Sequence, residues 1–207
     1  MSKILLINGS PHEKGCTYTA LKEVADTLEK NGVEAEIRWI GIQPVPGCIA
    51  CGKCGQLGKC IYDDMVNEIV EKLDSYDGLI VGSPVYYAGP SGQVCALLDR
   101  LFYVAGRRMA GKVAASVVSC RRGGASAAFE RLNKYFGMNN MVIATSQYWN
   151  QVHGSRPEDV LQDAEGMQTM RTLGQNVAWL VKCMEAGRKQ GIAYPEYEPK
   201  QWTNFIR

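Results

Sequence analysis

The chain has 207 residues, room for one α/β domain with extensions and too few for two. Its 23 Lys and Arg nearly balance 21 Asp and Glu, a net of +2, which leaves no footprint for nucleic acid and no basic run for a membrane surface. With 46% hydrophobic residues a sizeable core is available, yet no apolar run approaches membrane-spanning length.

The first residues, MSKILLINGS, pass straight from a short apolar run into a turn, with no secretory h-region or cleavage site, so a cytoplasmic location is expected. Residues 3–7 read as the first strand, ending at Asn8-Gly9-Ser10-Pro11. Leu21, Val24, Ala25 and Leu28 recur at helical spacing over 17–31, and Gly32 follows as a stop. A second strand over 33–40 leads into a loop rich in Pro, Gly and Cys, residues 43–60. Asp63 or Asp64 is placed to cap a helix reaching about residue 73. Gly78-Leu79-Ile80-Val81 reads as a buried strand ended by Gly82-Ser83-Pro84. Helices over 91–103 and 125–136 bracket a fourth strand at 113–119, and a fifth strand at 141–145 precedes a long helix over 163–186.

Strand and helix alternate five times, which predicts an α/β fold with a parallel five-stranded sheet covered on both faces. One domain over 1–190 is expected, followed by an arm, 191–207. Tyr194, Tyr197, Trp202 and Phe205 make that arm too aromatic for a free end. It is expected to pack on its own domain or on a neighbouring subunit.

Two loops carry the chemistry. Gly9-Ser10-Pro11-His12-Glu13-Lys14-Gly15-Cys16-Thr17-Tyr18 joins a strand to a helix, an arrangement that aims amides and hydroxyls at one anion. No Gly-Lys-Ser/Thr closes it for a triphosphate, and no Gly-x-Gly-x-x-Gly marks a dinucleotide. The same residues also serve a plain turn into a helix. Gly82-Ser83-Pro84-Val85-Tyr86-Tyr87-Ala88-Gly89-Pro90-Ser91-Gly92 follows the third strand. In a sheet of order 2-1-3-4-5 these two loops flank the switch point where ligands bind. A phosphate loop beside paired tyrosines suits a mononucleotide with a large planar ring, although either tyrosine also suits plain packing.

Gly9-Ser10-Pro11, Gly15-Cys16-Thr17, Gly82-Ser83-Pro84-Val85-Tyr86 and Leu98-Asp99-Arg100 resemble the NADPH-dependent FMN reductase family, from Met1 to about Ala186. The resemblance implies a flavodoxin-like three-layer α/β/α sandwich with bound FMN. It implies phosphate contacts from Ser10, His12, Cys16, Thr17 and Tyr18, and ring contacts from Pro84, Val85, Tyr86 and Tyr87. It places Ser119, Cys120, Arg121, Gly123 and Gly124 at the flavin edge. His12 stands where Arg or Lys is common in that family, and Cys16 where Asn or Ser is common.

Cys48, Cys51, Cys54 and Cys60 form C-x2-C-x2-C-x5-C within one loop. Four soft thiolates on a chain that curls suit a [4Fe-4S] cluster. Bare reduced thiols are the alternative, and structural zinc, which more often uses two separated knuckles, comes third. The spacing resembles the iron–sulfur flavoproteins, a branch of the same family, as does Gly166-Met167-Gln168-Thr169 in the last helix.

Cys95 and Cys183 fall inside helices and read as core thiols. Arg121 and Arg122 are placed to meet a nicotinamide cofactor's phosphate, and Arg107 and Arg108 read as a solvated pair. His153 is either a lining of the ring pocket or a plain loop residue. No nucleophile triad is evident, and none is needed where a flavin carries the chemistry. Two redox functions follow, with a non-catalytic zinc or thiol sensor on the same fold as a third reading. One is an FMN-dependent oxidoreductase moving electrons from NAD(P)H to a quinone, flavin, nitro or azo compound, or a protein acceptor. The other is an iron–sulfur flavoprotein carrying electrons between protein partners. A homodimer or homotetramer is expected to cover the half-open flavin.

Overall fold

The computed structural model describes residues 2–204. Its elements in chain order are β1 (Lys3–Asn8), α1 (Cys16–Lys30), β2 (Glu34–Trp39), α2 (Cys54–Leu57), α3 (Met65–Lys72), β3 (Gly78–Tyr86), β4 (Gly89–Pro90), α4 (Gly92–Met109), β5 (Val113–Cys120), α5 (Ala125–Met138), β6 (Val142–Ile143), β7 (Gln151–His153), α6 (Pro157–Gln162) and α7 (Ala164–Lys189). A short 3₁₀ turn, Leu73–Ser75, follows α3.

The sheet runs β2-β1-β3-β5, all parallel, with β6 and β7 sharing the position beyond β5. This is the flavodoxin-like order expected from the alternation of elements, with the last strand in two pieces. β6 pairs Val113 and Ala114, and β7 pairs Val118, Ser119 and Cys120. Between them residues 145–149 leave the edge, where the Ser146 hydroxyl lies 2.7 Å from both the Tyr148 carbonyl and Asn150 Oδ1. Local side-chain bonds there replace the ladder.

Parity along the strands builds two cores. Leu5, Ile7, Leu79 and Val81 face α3, α4 and α5, whereas Ile4, Leu6, Ile80 and Val117 face α1 and α7. All eight residues of β5 are buried, as befits a strand covered on both sides. α7 lies close on α1: a Cβ at Gly174 would come within 2.7 Å of Thr27 Cβ and 3.0 Å of the Val24 carbonyl.

Side chains start several helices. Asp64, Ser91 and Asp163 accept from the amides of Val66, Val94 and Gly166, capping α3, α4 and α7. After α7 the described residues have no regular structure. Tyr194 holds this arm to the domain by donating its hydroxyl to the Asn140 carbonyl at 3.2 Å, while Tyr197 and Trp202 stay exposed. Phe205 lies outside the described residues. Cys183 is exposed on α7 and is not the core thiol expected; its helical position faces away from the sheet. Cys95 is half-buried against the first core. Among the described residues no helix is long and apolar enough to cross a membrane.

Phe136 is fully buried, its ring centroid 6.2 Å from that of Phe102. Phe136→Ala is expected to cost about 3–5 kcal/mol in a denaturant titration, the loss from emptying a large core site.

Candidate functional site

The first and third crossovers meet at the C-terminal edge of the sheet because β1 and β3 are neighbours. The Gly9 amide donates to the Gly82 carbonyl at 2.8 Å, and Ser91 Oγ donates to the Gly9 carbonyl at 2.7 Å. The Ser91 amide in turn donates to Ser83 Oγ at 2.9 Å, and both serines are buried. Trp39 Nε1, arriving from β2, donates to the Ser10 carbonyl at 2.7 Å. Position 9 admits no side chain: a Cβ would lie 2.7 Å from Val94 Cβ and 2.8 Å from the Gly82 oxygen.

From that anchor the loop curls on Asn8. Asn8 Nδ2 donates to the Glu13 carbonyl, its Oδ1 accepts from the Ser10 amide, and Ser10 Oγ accepts from the His12 amide. α1 then begins after Gly15 with no capping side chain and no acid in its first turn. α5 begins the same way after Gly124. Both helices thus bring uncapped amides and a positive dipole end to this edge, a suitable seat for an anion.

The predicted phosphate residues divide here. Ser10 is buried, His12 is exposed, and Cys16 and Tyr18 are half-buried in or beside the first turn of α1. Burial pushes the Cys16 thiol up, and its Sγ lies 3.6 Å from the Gly154 carbonyl. Thr17 and Ser119 are buried, with their hydroxyls 2.8 Å apart, tying α1 to β5. Their hydroxyls join the scaffold beneath the loop.

The third strand does not end at Gly82-Ser83-Pro84. β3 runs on to Tyr86, turns through Tyr87 and Ala88, and pairs back antiparallel with β4. Tyr87 and Ala88 have φ of 49° and 59°, the left-handed region that hairpins of this length normally fill with Asn and Gly. Such strain costs about 1–3 kcal/mol per residue and is concentrated at functional sites. It leaves Tyr87 wholly exposed, Tyr86 partly so, and Pro84 and Val85 half-buried below. Gly124, at φ 87°, fits against Ala88 and Val85; a Cβ there would meet Ala88 Cα at 2.8 Å. Cys120 is buried, which pushes its thiol up, while Arg121 is exposed and Gly123 has open space around its Cα. The structure therefore gathers the predicted ring and edge residues along one rim.

Trp39, Ser83 and Ser91 hold this rim, and reading the sequence assigned them no such role. Tyr148 and Trp149 were also missed. They lie on the 145–149 excursion, partly exposed, with ring centroids 4.8 Å apart. The Tyr-Trp pair within a polar run was their visible signal. His153 ends β7, exposed, with its amide donating to Asp163 at 2.7 Å.

The four loop cysteines line a separate cavity of about 140 Å³ against α4. Asn67 pins one side: it accepts from the Cys60 amide at 2.8 Å and donates to the Cys60 carbonyl at 3.0 Å. Cys54 Sγ lies 3.9 Å from the Tyr103 carbonyl. Cys48 and Cys51 are exposed, on a stretch where Ala50 and Gly52 both have positive φ. Arg100 also lines the cavity, and its buried Nε–H has no acceptor. Four thiols and an unmatched donor suit a soft, negatively charged occupant. Among the described residues no three His, Cys, Asp or Glu side chains converge closely enough to hold a metal ion as the loop stands.

Two loops meeting at the switch point between the first and third crossovers of a 2-1-3-4-5 sheet define a flavodoxin-like fold. The family model described as NADPH-dependent FMN reductase matches residues 2–155, and the chain belongs to that family. An iron–sulfur flavoprotein of Methanocaldococcus jannaschii is 32% identical over 191 residues, covering 88% of this chain and 99% of that protein. An iron–sulfur flavoprotein of Methanosarcina thermophila is 27% identical, over 90% of this chain and 98% of that one. The fold is shared with RosB bound to 8-demethyl-8-formylriboflavin-5'-phosphate, at TM-score 0.70 and 15% identity over 100% of this chain and 94% of that one. It is also shared with an NAD(P)H:quinone oxidoreductase from Methanothermobacter marburgensis, at TM-score 0.65 and 15% identity, over 86% of this chain and 98% of that one.

Gly9→Ala is expected to lose about 1–3 kcal/mol of stability through overpacking and to copurify with less FMN. Gly47→Ala, where a Cβ meets nothing within 4 Å, is the control. The double change Tyr87→Asn with Ala88→Gly is expected to raise the melting temperature while weakening FMN binding, measured by fluorescence titration.

Proposed function

We propose that this protein is an FMN-dependent oxidoreductase of the iron–sulfur flavoprotein type, drawing electrons from NAD(P)H. The acceptor class comprises quinones, free flavin, nitro or azo compounds, and redox proteins. The observation that carries this reading is the uncapped start of α1 on a loop fixed by both sides of Gly9.

FMN supplies hydride and electron transfer when bound, and the chain supplies position and field. First-turn amides of α1, with Ser10, His12, Cys16, Thr17 and Tyr18 around them, hold the phosphate. Pro84 and Val85 form the floor for the ring, and Tyr86 and Tyr87 its outer wall. Ser119, Cys120, Arg121, Gly123 and Gly124 bound its far edge. Arg121, exposed on that rim, meets the phosphate of a nicotinamide cofactor without a covering side chain to displace. Cys16 and Cys120, held as neutral thiols by burial, shape the pocket without acting as nucleophiles.

A second reading, an electron carrier with FMN and a [4Fe-4S] cluster, is favoured by the shared cavity of Cys48, Cys51, Cys54 and Cys60. The iron–sulfur flavoprotein relatives support it. The exposed Tyr197 and Trp202 of the arm favour association with further copies of the chain.

Anaerobically purified protein is expected to show flavin absorption with a broad shoulder that bleaches on reduction. Cys51→Ser is expected to remove the shoulder and leave the flavin bands. Rapid NADH or NADPH oxidation with a quinone supports the enzyme; flavin and shoulder without that turnover favour the carrier. A colourless protein that takes up no FMN overturns both.

A further inference from the structure

Arg100 is the only charged residue among those lining the cysteine cavity. It is 1% exposed, and its guanidinium meets Asp64 at 2.8 Å from Nη1 and 2.6 Å from Nη2. The face of Tyr62 lies 5.1 Å from the guanidinium carbon. The Nε–H alone is left over, buried and without an acceptor. A buried donor without a partner is costly, and more so on a charged group, unless a bound group satisfies it. Asp64 is placed differently: its carboxylate is a third exposed, caps α3 through the Val66 amide, and does not line the cavity. The pair is therefore asymmetric: Arg100 is part of the cavity wall and Asp64 is not.

We propose that Arg100, by the positive charge it places in the cavity wall, sets the reduction potential of the centre bound by Cys48, Cys51, Cys54 and Cys60, with Asp64 attenuating that charge. The inference rests on the four-cysteine reading above. A thiolate-ligated iron–sulfur centre is anionic and gains one further negative charge on taking up an electron, so a cation at the wall favours the reduced form. Low exposure keeps water from screening that effect. Arg100 acts here as a positioning and field-setting residue; it is not a ligand.

The experiment reconstitutes full-length protein with iron and sulfide, then titrates it redox-wise while following the electron paramagnetic resonance signal of the reduced centre. Asp64→Asn keeps a capping residue for α3 and removes the attenuating charge. It is expected to raise the midpoint so that the reduced-to-oxidised ratio at a fixed potential grows about tenfold, about 59 mV for one electron. Arg100→Gln is expected to move it the opposite way by a similar factor. Arg100→Lys is expected to recover part of the loss, since it keeps the charge without the Nε–H. Opposite shifts with unchanged iron content and circular dichroism support the proposal. Midpoints that stay within twofold, or that move in the same direction, overturn it while leaving the four-cysteine reading intact. Should Arg100→Gln not fold, Asp64→Asn decides alone: a rise supports the proposal, and no change overturns it. Wild-type protein that binds neither iron–sulfur nor cobalt(II), the latter followed by thiolate-to-metal absorption, overturns the four-cysteine reading and this inference with it.

Discussion

The peptide groups flanking Gly9 are held on both sides by the third crossover, one hydrogen bond to Gly82 and one from Ser91. Little else at the C-terminal edge has a fixed position without that pair. It brings a loop that starts a helix without a cap to within one strand spacing of a loop that ends in exposed tyrosines. Both bonds are shielded by buried serines and by Val94, so the amide and carbonyl have no competing water. The absence of a side chain at this position follows from the closeness of the two crossovers.

Stability and function are arranged on different parts of the same strands. Their first residues sit in two dense cores that alternate with strand parity. At or just beyond their last residues lie Ser119, bonded to Thr17 of α1, the left-handed turn of Tyr87 and Ala88, and the glycines that let neighbouring loops touch. The cysteine cavity follows a similar plan on a smaller scale. Cys60 is clamped by Asn67 on the well-packed side, and Cys48 and Cys51 lie on an exposed curl. One side is held by hydrogen bonds and the other is exposed.

Strong periodicity made much of this fold legible. The apolar run at 3–7, the spacing of Leu21, Val24, Ala25 and Leu28, and the acidic cap at Asp64 lie where the sequence reading placed them. The two loops were visible because Gly, Ser, Pro and Tyr cluster at the ends of apolar runs. Other features were hidden because tertiary contacts decide them. Nothing local announces that a strand will run through Gly82-Ser83-Pro84, since the pairing of Val118 and Ser119 with Ser83 and Pro84 is what extends it. The fifth strand was read as continuous because a hydroxyl's power to divert an edge is not a periodic signal. Arg100 could be seen in sequence only as part of a motif. Its burial beside four cysteines depends on how a loop more than forty residues earlier folds over α4.

The divided last strand has a consequence for the behaviour of the protein in solution. A sheet that ends in a long regular strand offers a row of unpaired amides and carbonyls on which another chain can add, the usual start of intermolecular aggregation. Here that margin is cut into pieces of two and three residues by an aromatic excursion, so the row is never continuous. The opposite margin, β2, carries Glu34, Glu36 and Arg38 in alternation and ties them to Lys3 and Glu68. Both open sides of the sheet are thereby poor templates for strand addition, one by interruption and the other by charge.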